Sequence, residues 1–98
     1  MKSVKTQILK AAIRHYGRGT QRFKAMEELA ELIRALARCD DAENLAEEMA
    51  DVRIMLDQLE IMFNNRDRVR EIEYEKLQRL DRRVHAADVI GAEEGEWR

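Results

Sequence analysis

Two short acidic stretches carry the residues in this chain best suited to chemistry. Glu27-Glu28-Leu29-Ala30-Glu31-Leu32 is answered by Glu47-Glu48-Met49-Ala50-Asp51-Val52. Each stretch holds two carboxylates three residues apart, Glu28 and Glu31 in the first, Glu48 and Asp51 in the second. On a helix a step of three turns the side chain by about 60° and climbs about 4.5 Å, so each pair shares one face. One such pair reads as an ordinary solvated surface. Two pairs on neighbouring helices, one of them set into an apolar face, call for a compensating positive charge, because bare buried charge is costly. Four carboxylates make a hard, all-oxygen donor set that suits Mg²⁺ or Mn²⁺ and not a thiolate-loving metal. Mg²⁺ commonly bonds substrate phosphates and polarises water, and a nearby carboxylate can take that water's proton. The chemistry implied is hydrolysis of a phosphoanhydride.

A second set of residues fits that chemistry. Lys76, Arg79 and Arg83 recur at three- and four-residue steps and could neutralise phosphate oxygens. Their competing role is surface pairing with Glu73 and Glu75. His15 and His85 have no second His or Cys at ligand spacing, so they read as surface residues. No glycine-rich Walker loop is present, so phosphate handling falls to metal and basic side chains.

Helices must position these groups. Residues 3–16 carry Val4, Ile8, Ala12 (or Leu9 and Ile13) and Tyr16 at helical spacing. Gly17-Arg18-Gly19 interrupts them, and Thr20 is the expected N-cap of a second helix running to about Arg38. The expected core stripe of that helix is Met26, Leu29, Ala30, Leu32, Ile33, Leu36 and Ala37. Glu28 falls at the edge of this stripe, with Glu31 one step further out, and Lys24 shares their face. Cys39-Asp40-Asp41 forms a loop in which either aspartate could cap a third helix, over about 42–63. There Leu45, Met49, Val52, Leu56, Leu59 and Phe63 form a stripe widened by Met55 and Met62. Glu48 falls inside that apolar sector, between Leu45 and Val52, and Asp51 lies at its border. Asn64-Asn65 marks a break, and a fourth helix is expected over about 67–84. Residues 86–98, with Gly91, Gly95 and Trp97, read as a C-terminal tail behind a domain spanning 1–85.

Composition sets the class. The 98 residues are 45% hydrophobic and 39% charged with no proline, which describes an all-α domain. So short a chain in several helices is expected to form a compact four-helix bundle-like domain completed by dimerisation or tetramerisation. The formal charge of −2, with acids and bases interleaved, argues against nucleic acid as a partner. No apolar run approaches the roughly 18 residues of a membrane span, and Met1-Lys2-Ser3-Val4-Lys5 lacks a signal-peptide core. The lone Cys39 allows no internal disulfide, so a cytoplasmic location is expected.

The spacing Glu28-x-x-Glu31, sixteen residues, then Glu48-x-x-Asp51 resembles the signature of the MazG-like all-α nucleoside triphosphate pyrophosphohydrolases. Gln21 and Lys24 ahead of the first motif, and Lys76-Leu77-x-Arg79-Leu80 after the second, extend the resemblance over residues 15–84. The resemblance implies a helical dimer or tetramer that cleaves (d)NTPs between the α and β phosphates with Mg²⁺, releasing the monophosphate and pyrophosphate. By position it makes Glu28, Glu31, Glu48 and Asp51 the metal ligands. Glu27 or Glu47 would activate the attacking water, and Gln21, Lys24, Lys76, Arg79 and Arg83 would contact substrate. Nucleotide-pool cleaning is the expected role. Within the same fold, hydrolysis specific to dUTP or dCTP, or to phosphoribosyl-ATP, is the sibling reading. A non-catalytic helical adaptor with a cation-binding acidic cluster is the reading from another class.

Overall fold

A computed structural model describes residues 3–89. Four helices make up nearly all of it: α1 (Val4–Tyr16), α2 (Arg18–Ala37), α3 (Ala42–Phe63) and α4 (Arg66–Val89). Among the described residues there is no strand. The all-helical class expected from composition is therefore observed. The expected tail falls partly outside this description: residues 86–89 continue α4, while 90–98, including Trp97, lie beyond the described residues.

Each boundary has a local cause. Ser3 caps α1, its side chain accepting from the Thr6 N–H at 3.1 Å. Gly17 ends α1 at φ 93°, in the region that favours glycine, and its N–H donates to the Ile13 carbonyl. That one residue is the whole break. α2 starts at Arg18, so Gly19 and Thr20 are already helical and Thr20 is not the N-cap. α2 and α3 end alike, each in a left-handed residue that is not glycine: Cys39 at φ 56° and Asn64 at φ 50°. In both, the next N–H reaches back five residues, Asp40 to the Ala35 carbonyl and Asn65 to that of Glu60. Asp41 caps α3 by accepting from the Asn44 N–H at 2.8 Å. The α2–α3 turn is braced by Asp40, which takes a two-pronged contact from Arg38 and a bond from the Asn44 amide at 2.6 Å. The guanidinium holds the Asp40 carboxyl below its ordinary value.

The chain divides into two compact units, Met1–Asn65 and Arg66–Arg98. In the first, α2 and α3 run antiparallel and make the principal contact, with α1 packed on both. The seam on α2 is Gln21, Ala25, Glu28, Leu32 and Ala35, spaced four, three, four and three. On α3 it is Glu48, Val52, Met55, Leu59 and Met62, joined by Gln58. Alanines at 25 and 35 allow the helix backbones to approach closely. Leu9 of α1 completes the buried set, and a Lys5–Asp57 ion pair at 2.6 Å ties α1 to α3.

This seam corrects the expected core. Met26, Leu29, Ile33 and Leu36 of α2 are exposed rather than central, with Ile33 at 66%, and so are Met49, Leu56 and Phe63 of α3. Both helices are apolar around more than half their circumference. The small-residue face of α2 wins the contact within one chain, and the large side chains are left on its flank. Arg18 lies 5.8 Å from the Phe63 ring centroid, a cation–π contact joining the start of α2 to the end of α3.

The second unit is α4 alone among the described residues. It extends five residues past the expected end at 84, carrying Lys76, Arg79 and Arg83 on exposed positions. Its ion pairs are local, Arg68 with Glu71 and His85 with Asp81. No described helix is long and apolar enough to cross a membrane.

Candidate metal and substrate cleft

One hydrogen bond sets the register of the α2–α3 seam. The Gln21 Nε2 donates to the Gln58 Oε1 at 2.8 Å, and both side chains are buried, 5% and 4% exposed. Seven residues on along α2 is Glu28, and seven back along α3 is Asp51; ten residues in the same directions gives Glu31 and Glu48. Antiparallel helices share a rise, so the two acidic half-motifs stand level across the seam.

The electrostatics bear this out. The Glu48 carboxyl is pushed above its ordinary value, first by loss of water and then by the charges of Glu31, Asp51, Glu28 and Glu47. Each of the other three motif carboxylates therefore acts on the half-buried Glu48. Lys24 answers at one end. Its ammonium lies 3.2 Å from a Glu28 oxygen, and Glu28 itself is only 13% exposed. That hydrogen bond, and after it the charges of Glu28, Glu27 and Asp51, raise the Lys24 pKa. Arg38 feels Glu31 and Glu48 more weakly, being held first by Asp40. Arg34 takes the exposed Glu31 at 3.1 Å. Among the described residues no three acidic, His or Cys side chains converge on one point; Glu28 pairs with Lys24 and Glu31 with Arg34, each a cation of its own helix. Carboxylate oxygens are hard donors of the kind a divalent ion such as Mg²⁺ takes, and the side chains here are not gathered about one point.

Beside the acids opens a cleft of about 690 Å³, a size typical of small-molecule sites. Glu27, Glu28, Asp51 and Lys24 line its acidic end. Tyr16, Thr20, Gln21, Phe23, Met55 and Gln58 line it too, with Ala12 and Ile54. Five residues expected at the site, Gln21, Lys24, Glu27, Glu28 and Asp51, thus meet in one cleft, with Glu31 and Glu48 in electrostatic reach. Glu47 is exposed and does not line the cleft. Lys76, Arg79 and Arg83 belong to the second unit. His15 is exposed and stacks edge-on against Tyr16 at 4.6 Å.

Sequence reasoning missed Gln58, Met55, Phe23 and Tyr16 as cleft residues. Gln58 gave a signal, since it is a polar residue inside the apolar sector of α3, the same anomaly that marked Glu48. Comparison with known proteins finds no matching family model, no matching curated protein and no matching solved structure.

Proposed function

We propose that this chain is a Mg²⁺-dependent nucleoside triphosphate pyrophosphohydrolase of the MazG-like kind, hydrolysing (d)NTPs to the monophosphate and pyrophosphate in the cytoplasmic nucleotide pool. The observation that carries the reading is the register of α2 against α3. It sets Glu28 level with Asp51 and Glu31 level with Glu48, beside a cleft of nucleotide size. Glu28, Glu31, Glu48 and Asp51 are the residues that would hold Mg²⁺ or Mn²⁺. Such an ion, when bound, polarises water and neutralises phosphate oxygens.

The chain's own residues supply the rest. Glu27 lines the cleft beside Glu28 and is placed to accept a proton from an attacking water; Glu47 is the matching carboxylate on α3, on the exposed side. Lys24, paired with Glu28 and lining the cleft, would be free to take a phosphate oxygen if that carboxylate held a cation instead. Lys76, Arg79 and Arg83, which the resemblance assigns to substrate contact, lie on the second unit and outside the residues that line this cleft. Met26, Ile33 and Leu36 on α2 and Met49, Leu56 and Phe63 on α3 leave large apolar side chains exposed at helical spacing. A second copy covering them would complete a four-helix core, as a homodimer or homotetramer.

The test is a panel of (d)NTPs with Mg²⁺, scored for pyrophosphate rather than orthophosphate. The reading expects pyrophosphate from at least one of them. If none is turned over with Mg²⁺ or Mn²⁺, the helical adaptor reading takes its place. For the assembly, Ile33→Lys is expected to shift the sedimentation mass from an oligomer to a monomer.

A further inference from the structure

The two acidic half-motifs form one polar pole of the α2–α3 seam, and the Gln21–Gln58 pair forms the other. At the acidic pole the chain supplies cations of its own. Lys24 Nζ stands 3.2 Å from Glu28 Oε1, and Arg34 Nη2 stands 3.1 Å from Glu31 Oε1. The two pairs are alike in distance and charge, and unlike in surroundings. The Arg34 and Glu31 side chains are 56% and 51% exposed, so water screens that contact from both sides and leaves it weak. Glu28 is only 13% exposed. It has lost most of its contact with water, and the Lys24 ammonium stands in for what was lost.

Lys24 also reaches beyond its own partner. It lines the acidic end of the cleft together with Glu27, Glu28 and Asp51, which come from both helices, and it is the basic residue of that lining. The charges of all three carboxylates act on its ammonium. A divalent ion taken up by Glu28 and Asp51 would therefore arrive where a positive charge already sits. Two cations cannot share one carboxylate at contact distance without strong repulsion, so one of them must leave.

We infer that Lys24 is a resident counter-cation of the acidic pole, which a divalent ion must displace from Glu28 in order to bind. The inference rests on the proposed hydrolase reading only in taking Glu28 and Asp51 as metal ligands. It gives Lys24 a part to play before any substrate is present. The apparent affinity for metal is reduced by the fraction of chains in which the Lys24–Glu28 pair is open. Lys24 thus sets the cation concentration at which the pole fills.

Mn²⁺ binding to the full chain, with no nucleotide present, is compared in wild type, Lys24→Met and Arg34→Met. Each variant takes one positive charge away from one motif carboxylate and keeps an apolar stem. A general effect of charge tightens binding alike in both, whereas displacement from a carboxylate shielded from water makes them unequal. The expected result is about tenfold tighter binding in Lys24→Met and about twofold or less in Arg34→Met. In the ¹³C-labelled wild-type chain, added Mg²⁺ is expected to move the Lys24 ε-methylene and Glu28 carboxyl signals along one saturation curve. Equal tightening in the two variants, no tightening in Lys24→Met, or a Lys24 signal that stays in place while Mg²⁺ saturates the chain overturns the inference. The wild-type signals decide even where a variant does not fold. The two readings fail separately. Tighter Mn²⁺ binding in Lys24→Met without pyrophosphate release from any triphosphate sinks the hydrolase alone. Mn²⁺ binding that Lys24→Met leaves unchanged, in a chain that does release pyrophosphate, sinks the displaced lysine alone.

Discussion

The α2–α3 seam buries polar groups at two places, and it treats them differently. At one end, the amides of Gln21 and Gln58 satisfy each other at 2.8 Å and carry no charge. Nearly three turns away, Glu48 stands half-buried near Glu31, Asp51, Glu28 and Glu47, with its carboxyl pushed up. A satisfied amide pair holds a register at little net cost, whereas like charges drawn out of water oppose folding until something positive arrives. The first pole is a fastening that the fold completes alone. The second leaves a carboxyl whose charged form is disfavoured, which supports the cation site proposed above.

Breaking the acidic pole gives the largest expected effect. Glu48→Gln keeps the shape and removes one charge; pyrophosphate release is expected to fall by about 10²-fold or more, measured on whichever triphosphate the wild-type chain turns over best. An unchanged rate would detach Glu48 from the chemistry. The amide pole responds in stability instead. Gln21→Leu leaves the buried Gln58 oxygen without its donor and is expected to cost about 1–3 kcal/mol by urea unfolding, while the double change to leucine costs less than the single. If the single and double variants are equally unstable, the two amides are not coupled.

The subtlest difference between the poles is in pH. Because folding raises the Glu48 pKa above its ordinary 4.5, the folded chain holds that proton more tightly than the unfolded one. This group's contribution to metal-free stability therefore declines as pH rises from about 4.5 through the folded-state value, and it stays unfavourable above it. Asp40 acts oppositely, since its lowered carboxyl contributes stability that is lost as pH falls through its folded value. Subtracting the Glu48→Gln curve from that of the wild-type chain isolates the first slope. The variant is expected to be the more stable protein at neutral pH without metal, and the gap is expected to close toward pH 4.

Much of this was legible in the residues. Helix periodicity, the Gly17 break and the Asp41 cap give four helices nearly in place, because caps and breaks are local events. The acidic motifs were legible for a different reason, since a carboxylate inside an apolar sector is an energetic anomaly wherever it sits. The rotation of α2 and α3 was not legible. Helices apolar on several sides offer more than one seam, and the wheel favours Met26, Ile33 and Leu36 by size, whereas close approach of backbones favours Ala25 and Ala35. Nor was the pairing of Gln21 with Gln58, thirty-seven residues apart, since only the antiparallel register brings them together. Gln58 carried the same anomaly as Glu48 on the same face.

The central claim is that the acidic pole is a divalent-cation site. Mn²⁺ binding to the full chain, followed by the loss of its free electron-spin resonance signal and competed with Mg²⁺, tests it without reference to any substrate. The account predicts saturable binding that Mg²⁺ displaces, weakened about tenfold or more by Glu48→Gln. No saturable binding, or binding that Glu48→Gln and Asp51→Asn both leave unchanged, would contradict it.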